Sequence, residues 1–413
     1  VASVAAGLSV PATAGASTGA IAPGAQIDVG AISSRTGPLA GYFGGLAPGM
    51  IAYFKTIDAK GGVNGHKIVL TANLDDGGSP SQFTQLTHTL IDQDKVFAIG
   101  VASAWFTPNY FVATKTPTYG YNVSANWQNS PNLFAVGGST QIYASANSTY
   151  SWFMKKVKAK SVAFISYGPS IASSYDACSA YAKAMGKAGY KVYSDVSAQL
   201  GGSYASDVQR IRQAGSQVLV TCMQGSDNIT LARDVQQYGL SIKQLWLNGY
   251  DQSLLNQYSN LMQGVYFDIT GVVPFYAGSS PKYGNTYPGM QQYLASMKKY
   301  SPSNVLNGVA FQGWQSAALL AAGIKAAGSN ITQASVIKAT NQLTNFTAGG
   351  LSTPVNWKVA HVGYTTPNCS AWVQVKGKQY VPVFASGKQV FVCVNASVAN
   401  PKVVTPPAGT PGA

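Results

Sequence analysis

Ile27-Asp-Val-Gly-Ala-Ile-Ser33, the segment Gly41 to Lys60, the turn Gly61-Gly-Val-Asn-Gly65 and the run His66 to Leu74 together spell one strand–helix–strand unit. The first piece is a short apolar run bounded by polar loops, as a buried strand is. In the second, Leu46, Met50, Phe54 and Ile57 recur at helical spacing along one face. The glycines at 61, 62 and 65 stop that helix and turn the chain. His66 to Leu74 then alternates as a second strand.

Outward from this unit the rhythm continues. Ser79 caps a helix to Gln93 with Pro80 at its first position. A third strand at Val96–Val101, a helix at Tyr110–Lys115 and a fourth strand at Pro117–Tyr121 follow. After Val136-Gly-Gly-Ser-Thr140 a second series begins, with helices at Gln141–Lys158, Ser173–Ala188, Ser206–Gln213 and Asn228–Tyr238. Its strands are Val162–Ser166, Tyr190–Val196, Gln217–Met223 and Gln244–Leu247. Helices are expected at 288–300, 309–327 and 333–343, and strands at Ala371–Val375, Tyr380–Phe384 and Gln389–Val394. Strands alternating with helices across short connections form parallel sheets covered on both faces. Two such series predict an α/β protein of two doubly wound, Rossmann-like lobes.

Composition narrows the function classes. Hydrophobic residues make up 46% of 413 and charged residues only 10%, against roughly 25% charged in ordinary soluble domains. The net charge of +14 reflects scarce acids, 13 Asp+Glu beside 27 Lys+Arg. The densest basic run, Lys155, Lys156, Lys158 and Lys160, falls where a helix should close, and cations suit that end of the dipole. Nothing resembles a basic face for nucleic acid. A surface poor in carboxylates also suits an acidic exterior. Cys178, Cys222, Cys369 and Cys393 lack metal-ligand spacing, and their even number fits disulfides of an exported protein. The pairings Cys178–Cys222 and Cys369–Cys393 are expected, joining adjacent β-α units and two late strands. The chain starts at Val1, so an export signal is expected to have been removed. The small-residue stretch 1–26 reads as a leader, and 401–413 as a Pro/Gly-rich tail.

Ser34-Arg-Thr-Gly-Pro-Leu-Ala40, the helix after it, Ile57-Asp-Ala-Lys-Gly-Gly-Val-Asn-Gly-His-Lys-Ile68 and Leu74-Asp-Asp76 resemble the branched-chain (Leu/Ile/Val) amino-acid-binding proteins of ABC importers. Asp94-Lys-Val-Phe-Ala-Ile-Gly100, Thr116-Pro-Thr118 and Val235-Gln-Gln-Tyr-Gly-Leu240 add to the likeness. It spans residues 27 to 365, strongest in the first 120. It implies a type I periplasmic-binding fold with three crossings between lobes, near 136–142, 270–276 and 346–352. The first lobe is then 27–140 plus 274–348 and the second 141–273 plus 349–400. It further implies a small-molecule ligand in the cleft, a membrane permease as partner, an extracytoplasmic location and no cofactor or metal.

Ligands of open α/β sheets sit beyond the carboxyl ends of the strands. The residues so placed are Tyr42, which matches the family's aromatic wall, then Ser103, Ala104 and Trp105 after the third strand, and Asn122 and Ser124 after the fourth. From the second lobe come Tyr167, Gln224, Tyr250 and Asp251. Each has a plainer reading: the aromatics as ordinary packing, the serines as helix caps. Arg35 fits a solvated loop and Trp314 a core position. Amino-acid binders carry a second-lobe acid for the ligand ammonium. Here the matching loop is Asn248-Gly-Tyr250, with Asp251 next. Either Asp251 serves, or the ligand is not a free amino acid; the reading leans to a neutral or anionic solute such as an amide, a urea-like molecule or an aromatic acid.

His66, His88 and His361 are isolated, and no catalytic motif is present, so an enzyme is not expected. Asp75-Asp76 point opposite ways at a strand end, which favours a structural role. Seven N-x-[ST] sequons, at Asn122, Asn147, Asn228, Asn330, Asn345, Asn368 and Asn395, would allow a glycoprotein. The alternative to solute capture is a self-assembling cell-surface or filament protein, a homo-oligomer built through its termini.

Overall fold

The computed structural model describes residues 19–37, 39–140, 147–303, 306–363 and 368–413. The first series runs β1 (Ile27–Ser33), α1 (Ala40–Phe43), α2 (Leu46–Asp58), β2 (Ile68–Asp75), α3 (Pro80–His88), β3 (Ala98–Ala102), α4 (Asn109–Thr114), β4 (Thr118–Gly120) and β5 (Leu133–Ala135). The second runs α5 (Asn147–Lys156), β6 (Ser161–Tyr167), α6 (Ala172–Lys187), β7 (Lys191–Ala198), α7 (Ala205–Ala214), β8 (Val218–Thr221), α8 (Gly225–Gln237), β9 (Lys243–Trp246), α9 (Gln252–Met262) and β10 (Tyr266–Thr270). Helices α10 (Phe275–Ser279), α11 (Pro288–Tyr300), α12 (Gly308–Ala327) and α13 (Gln333–Thr340) come next. Strands β11 (Cys369–Lys376), β12 (Gln379–Pro382), β13 (Phe391–Val394) and β14 (Val403–Val404) complete the described chain.

The strands form two sheets. One has the order β2-β1-β3-β4-β5, parallel throughout. The other has the order β14-β13-β11-β10-β9-β8-β6-β7, with β12 paired to β11. Its members β6 to β10 are parallel and its C-terminal strands antiparallel. Both sheets carry the same reversal, between β1 and β3 in one and between β6 and β8 in the other. This is the two-series α/β architecture that the sequence rhythm implies.

Three passages join the halves, and they hydrogen-bond to one another. Val273 N–H donates to Leu351 O at 2.9 Å and Thr353 N–H to Gly271 O at 2.8 Å. Ser139 N–H donates to Ala360 O at 3.0 Å, which ties the first passage to the third. Residues 355–361 still pack on the first sheet: Trp357 and His361 both meet the Phe134 ring. The described chain resumes at Asn368, beside β11, so the first half extends past residue 348.

One expected helix is two. Gly41–Lys60 breaks at Gly44–Gly45 into α1 and α2, because α2 lies directly against α12 and must be aimed there. A Cβ at Gly49 would stand 1.8 Å from the Ala310 carbonyl oxygen, and one at Gly313 2.0 Å from that of Leu46. These two glycines let the backbones touch. The expected helix from Gln141 is described from Asn147; residues 141–146 lie outside the described residues. Lys155 and Lys156 occupy its last turn, as the dipole argument requires.

The disulfides are Cys178–Cys222, joining α6 to the end of β8, and Cys369–Cys393, joining β11 to β13. The C-terminal segment folds back along the molecule. After β14 it sets Gly409 against Asn345 and Gly412 against Tyr287. Residues 1–18 of the expected leader lie outside the described residues.

Two outcomes follow for stability. Gly49→Val or Gly313→Val should cost about 3 kcal/mol or more through overpacking, read as a fall in urea midpoint, while Gly41→Ala, in open space, should leave it unchanged. Replacing Cys178 and Cys222 by Ala opens a loop of 44 residues and should lower the unfolding free energy by about 3–4 kcal/mol.

Candidate functional site

A cavity of about 490 Å³ lies between the two sheet-centred halves. From the first half it is walled by Tyr42 on α1, by Tyr121 and Asn122 after β4, and by residues 136–138 after β5. The second half contributes Gln224 to Ser226 after β8 and Leu247 to Asp251 after β9. The floor is the end of β10 with the passage behind it, and the start of α12 closes the far side.

The halves touch at its rim. The Tyr42 hydroxyl donates to Asn248 Oδ1 at 2.5 Å and meets the Tyr121 hydroxyl. A phenol has one hydrogen, so Tyr121 donates to Tyr42 and the relay runs from the first half into the second. Burial, then the neighbouring Tyr121, pushes the Tyr42 phenol well above its usual pKa, so it stays a donor at any physiological pH. On the other side Gly308 N–H donates to Tyr250 O at 3.1 Å and Gln252 N–H to Leu306 O at 2.9 Å.

Five of the ten expected contact residues line the cavity: Tyr42, Asn122, Gln224, Tyr250 and Asp251. Asn122 Nδ2 donates to Gly138 O at 2.8 Å and to Thr140 O at 3.1 Å, which fastens the β4 loop to the first passage. Tyr250 stacks on Phe275 at 4.5 Å, and its hydroxyl accepts the Phe275 N–H at 2.8 Å. Asp251 is the N-cap of α9; its Oδ1 accepts from Ser253 N–H at 2.6 Å, Ser253 Oγ at 2.5 Å and Leu254 N–H at 3.2 Å. That carboxylate is engaged by its own helix.

The other five lie off the lining. Ser103 Oγ accepts the Trp105 N–H at 3.0 Å, a local turn. Ala104 and Trp105 pack against apolar clusters of the first half. Ser124 precedes a single 3-10 turn and makes no cap hydrogen bond. The Tyr167 hydroxyl bonds the Asp227 carboxylate and accepts the Gln224 N–H at 3.1 Å, so it supports a lining residue from behind. Four of these follow β3 and β4 near the first sheet's reversal, whereas the cavity sits toward β5 and β10, beside the passages.

Three polar lining residues outside the expected set stand out. Asp268 on β10 is half-buried, yet both carboxylate oxygens are out of solvent and without a hydrogen-bond partner among the described residues. Gln312 and Gln315 face the cavity from α12 with unpartnered Oε1 atoms. An acid inside the run Tyr266-Phe-Asp-Ile-Thr270, and two glutamines near the start of a mostly apolar helix, are the sequence signals that mark them. Among the described residues the lining holds no Lys, Arg or His.

Elsewhere, Arg35 is exposed, Trp314 is core, and Asp75 accepts the Arg35, Thr36 and Gly77 N–H groups as a structural turn. Asn228 is buried and gives its amide to Met223 O and Asn248 O, so this sequon is closed to glycan in the fold. Among the described residues no group of His, Cys, Asp and Glu is arranged to hold a metal ion, and no helix is long and apolar enough to cross a membrane.

Burial raises the Asp268 carboxyl to about 6, with the Ser370 and Thr270 hydroxyls offsetting part of the effect. A raised carboxyl favours the fold below its unfolded pKa, and that contribution is lost as pH rises through about 6. Asp268→Asn should therefore stabilise the ligand-free protein by on the order of 1–3 kcal/mol at about pH 7.5 and leave it nearly unchanged at about pH 4. Urea melts at the two pH values check this; equal shifts at both would contradict it.

None of the curated protein sequences matches the chain. Among solved structures, a fatty acid ABC transporter substrate-binding protein from Thermomonospora curvata superposes with TM-score 0.73 at 17% identity, over 87% of this chain and 92% of the other. The leucine binding protein LivK from Thermotoga maritima gives 0.68 at 16% identity, over 86% and 97%. A solute binding protein of an ABC transporter from R. palustris, in complex with benzoate, gives 0.69 at 17% identity, over 87% and 95%. At such identities these likenesses speak to fold. Residues 26–379 match the periplasmic binding protein family, and this stretch holds both sheets' parallel strands and the cavity between them. With that match over most of its length, the chain belongs to the periplasmic binding protein family.

Proposed function

We propose that this protein is an extracytoplasmic receptor that captures a small solute between its two halves and presents it to the membrane permease of an ABC importer. The observation that carries the reading is a cavity walled by loops of both sheets, with donor–acceptor contacts bridging its rim. A cleft so built couples ligand contact to closure, because each half supplies groups that only the closed form brings together. The lining is chiefly apolar and aromatic with a few convergent polar groups, the usual make-up of a small-molecule site. The division into lobes at 27–140 plus 274–348 and 141–273 plus 349–400 frames this motion, with residues 349–361 added to the first on their packing against Phe134. Self-assembly through the termini finds less support, since Gly409 and Gly412 lie against Asn345 and Tyr287 of the chain itself.

A thermal-shift screen of amino acids, amides, amines and aromatic acids tests the reading. A true ligand at about 100 times its Kd should add roughly 2.7 kcal/mol to stability. The gain should vanish in Gln224→Ala and Tyr250→Ala and persist in Ser103→Ala, which lies off the lining. A melting point indifferent to every solute would favour the structural role instead.

A further inference from the structure

The cavity's charge inventory is lopsided. The chain has 27 Lys+Arg against 13 Asp+Glu, yet among the described residues the lining takes two of the acids, Asp251 and Asp268, and none of the bases. The undescribed stretch 141–146 carries no charged side chain either. Asp251 is occupied as a helix cap. Asp268 is not: its two oxygens are buried, and the nearby Ser370 and Thr270 hydroxyls fall short of full hydrogen-bond geometry to them.

Gln312 and Gln315 repeat the theme. Gln315 is only 2% exposed, and the Oε1 atoms of both are buried and unpartnered while the residues face the same cavity. A buried acceptor left without a donor costs free energy, and a buried carboxylate costs more. Orphan groups that share one polarity and one cavity specify their complement: a donor-rich, positively charged head. Around them Tyr250, Phe275 and Phe311 supply aromatic surface.

We infer that the solute is a cationic organic amine with an apolar body, its ammonium seated on Asp268 and hydrogen-bonded to Gln312 and Gln315. An ammonium supplies three donors and an isolated carboxylate none, so only the former satisfies these acceptors. With no cation facing the cavity, a solute carboxylate would add a second buried anion beside Asp268. The inference rests on the solute-binding reading of the same cavity and adds the ligand class.

The test is a charge series on one frame: 2-phenylethylamine, 2-phenylethanol, 3-phenylpropionate and phenylalanine, titrated calorimetrically into the whole protein. The amine should bind tightest, about 10- to 100-fold better than the alcohol, the worth of a hydrogen-bonded charge. Asp268→Asn should erase that margin while leaving the alcohol's affinity unchanged. The variant's own melting point, expected to rise near neutral pH, shows that it is folded. Gln315→Leu should weaken the amine selectively as well. Phenylpropionate or phenylalanine binding best, an amine margin that survives in Asp268→Asn, or no binding by the amine would each overturn the inference. Native mass spectrometry after incubation with a cell extract separates the two readings. A retained anion or neutral solute defeats the amine assignment but leaves solute capture standing; retention of nothing at all counts against both.

Discussion

The pairing of Gly271–Val273 with Leu351–Thr353 is the constraint on which the site depends. The first segment leaves the second sheet, the other precedes residues that still pack on the first sheet, and their backbone hydrogen bonds satisfy polar groups that would otherwise be buried alone. The pairing holds the two sheets at a fixed separation along one side. The cavity forms beside it because the loops after β5 and β10 cannot retreat further than this ladder allows. Ser139 and Thr140, bonded to Ala360, add the remaining passage to the same bundle.

Backbone proximity of a second kind sets the far wall. Helix α12 presents Gln312 and Gln315 to the cavity while its opposite side meets α2, and Gly49 and Gly313 permit that contact. A longer side chain at either glycine would push α12 toward the cavity and misplace both glutamines. Packing on one side of the helix therefore fixes chemistry on the other, and Asn307, whose Oδ1 accepts the Ala310 N–H at 2.7 Å, fixes where the helix begins.

The sequence made the architecture readable because α/β periodicity is local. Leu46, Met50 and Phe54 reveal their helix, and the glycines after it their turn, without knowledge of distant residues. The disulfide partners were legible for a similar reason, since each pair lies in adjoining units. The site was only half legible. Tyr42 and Tyr250 line the cavity, as a place beyond a strand's carboxyl end implies, whereas Ser103 and Ser124, placed by the same rule, lie off its lining. Asp268 needs more: its place on the cavity depends on β10 pairing with both β9 and β11, a contact across roughly a hundred residues. An acid in a strand centre announces an anomaly in sequence, whereas its neighbours on the cavity, Gln312 and Gln315, arrive from another element.

One apolar cluster belongs to neither half alone. Tyr283, Tyr287 and Met290 around α11 share it with Phe391, Val390 and the Cys369–Cys393 pair. Packing shared in this way ties the two halves together along that side. Tyr42 on α1 and Asn248 after β9, which join the halves at the rim, stand outside that cluster.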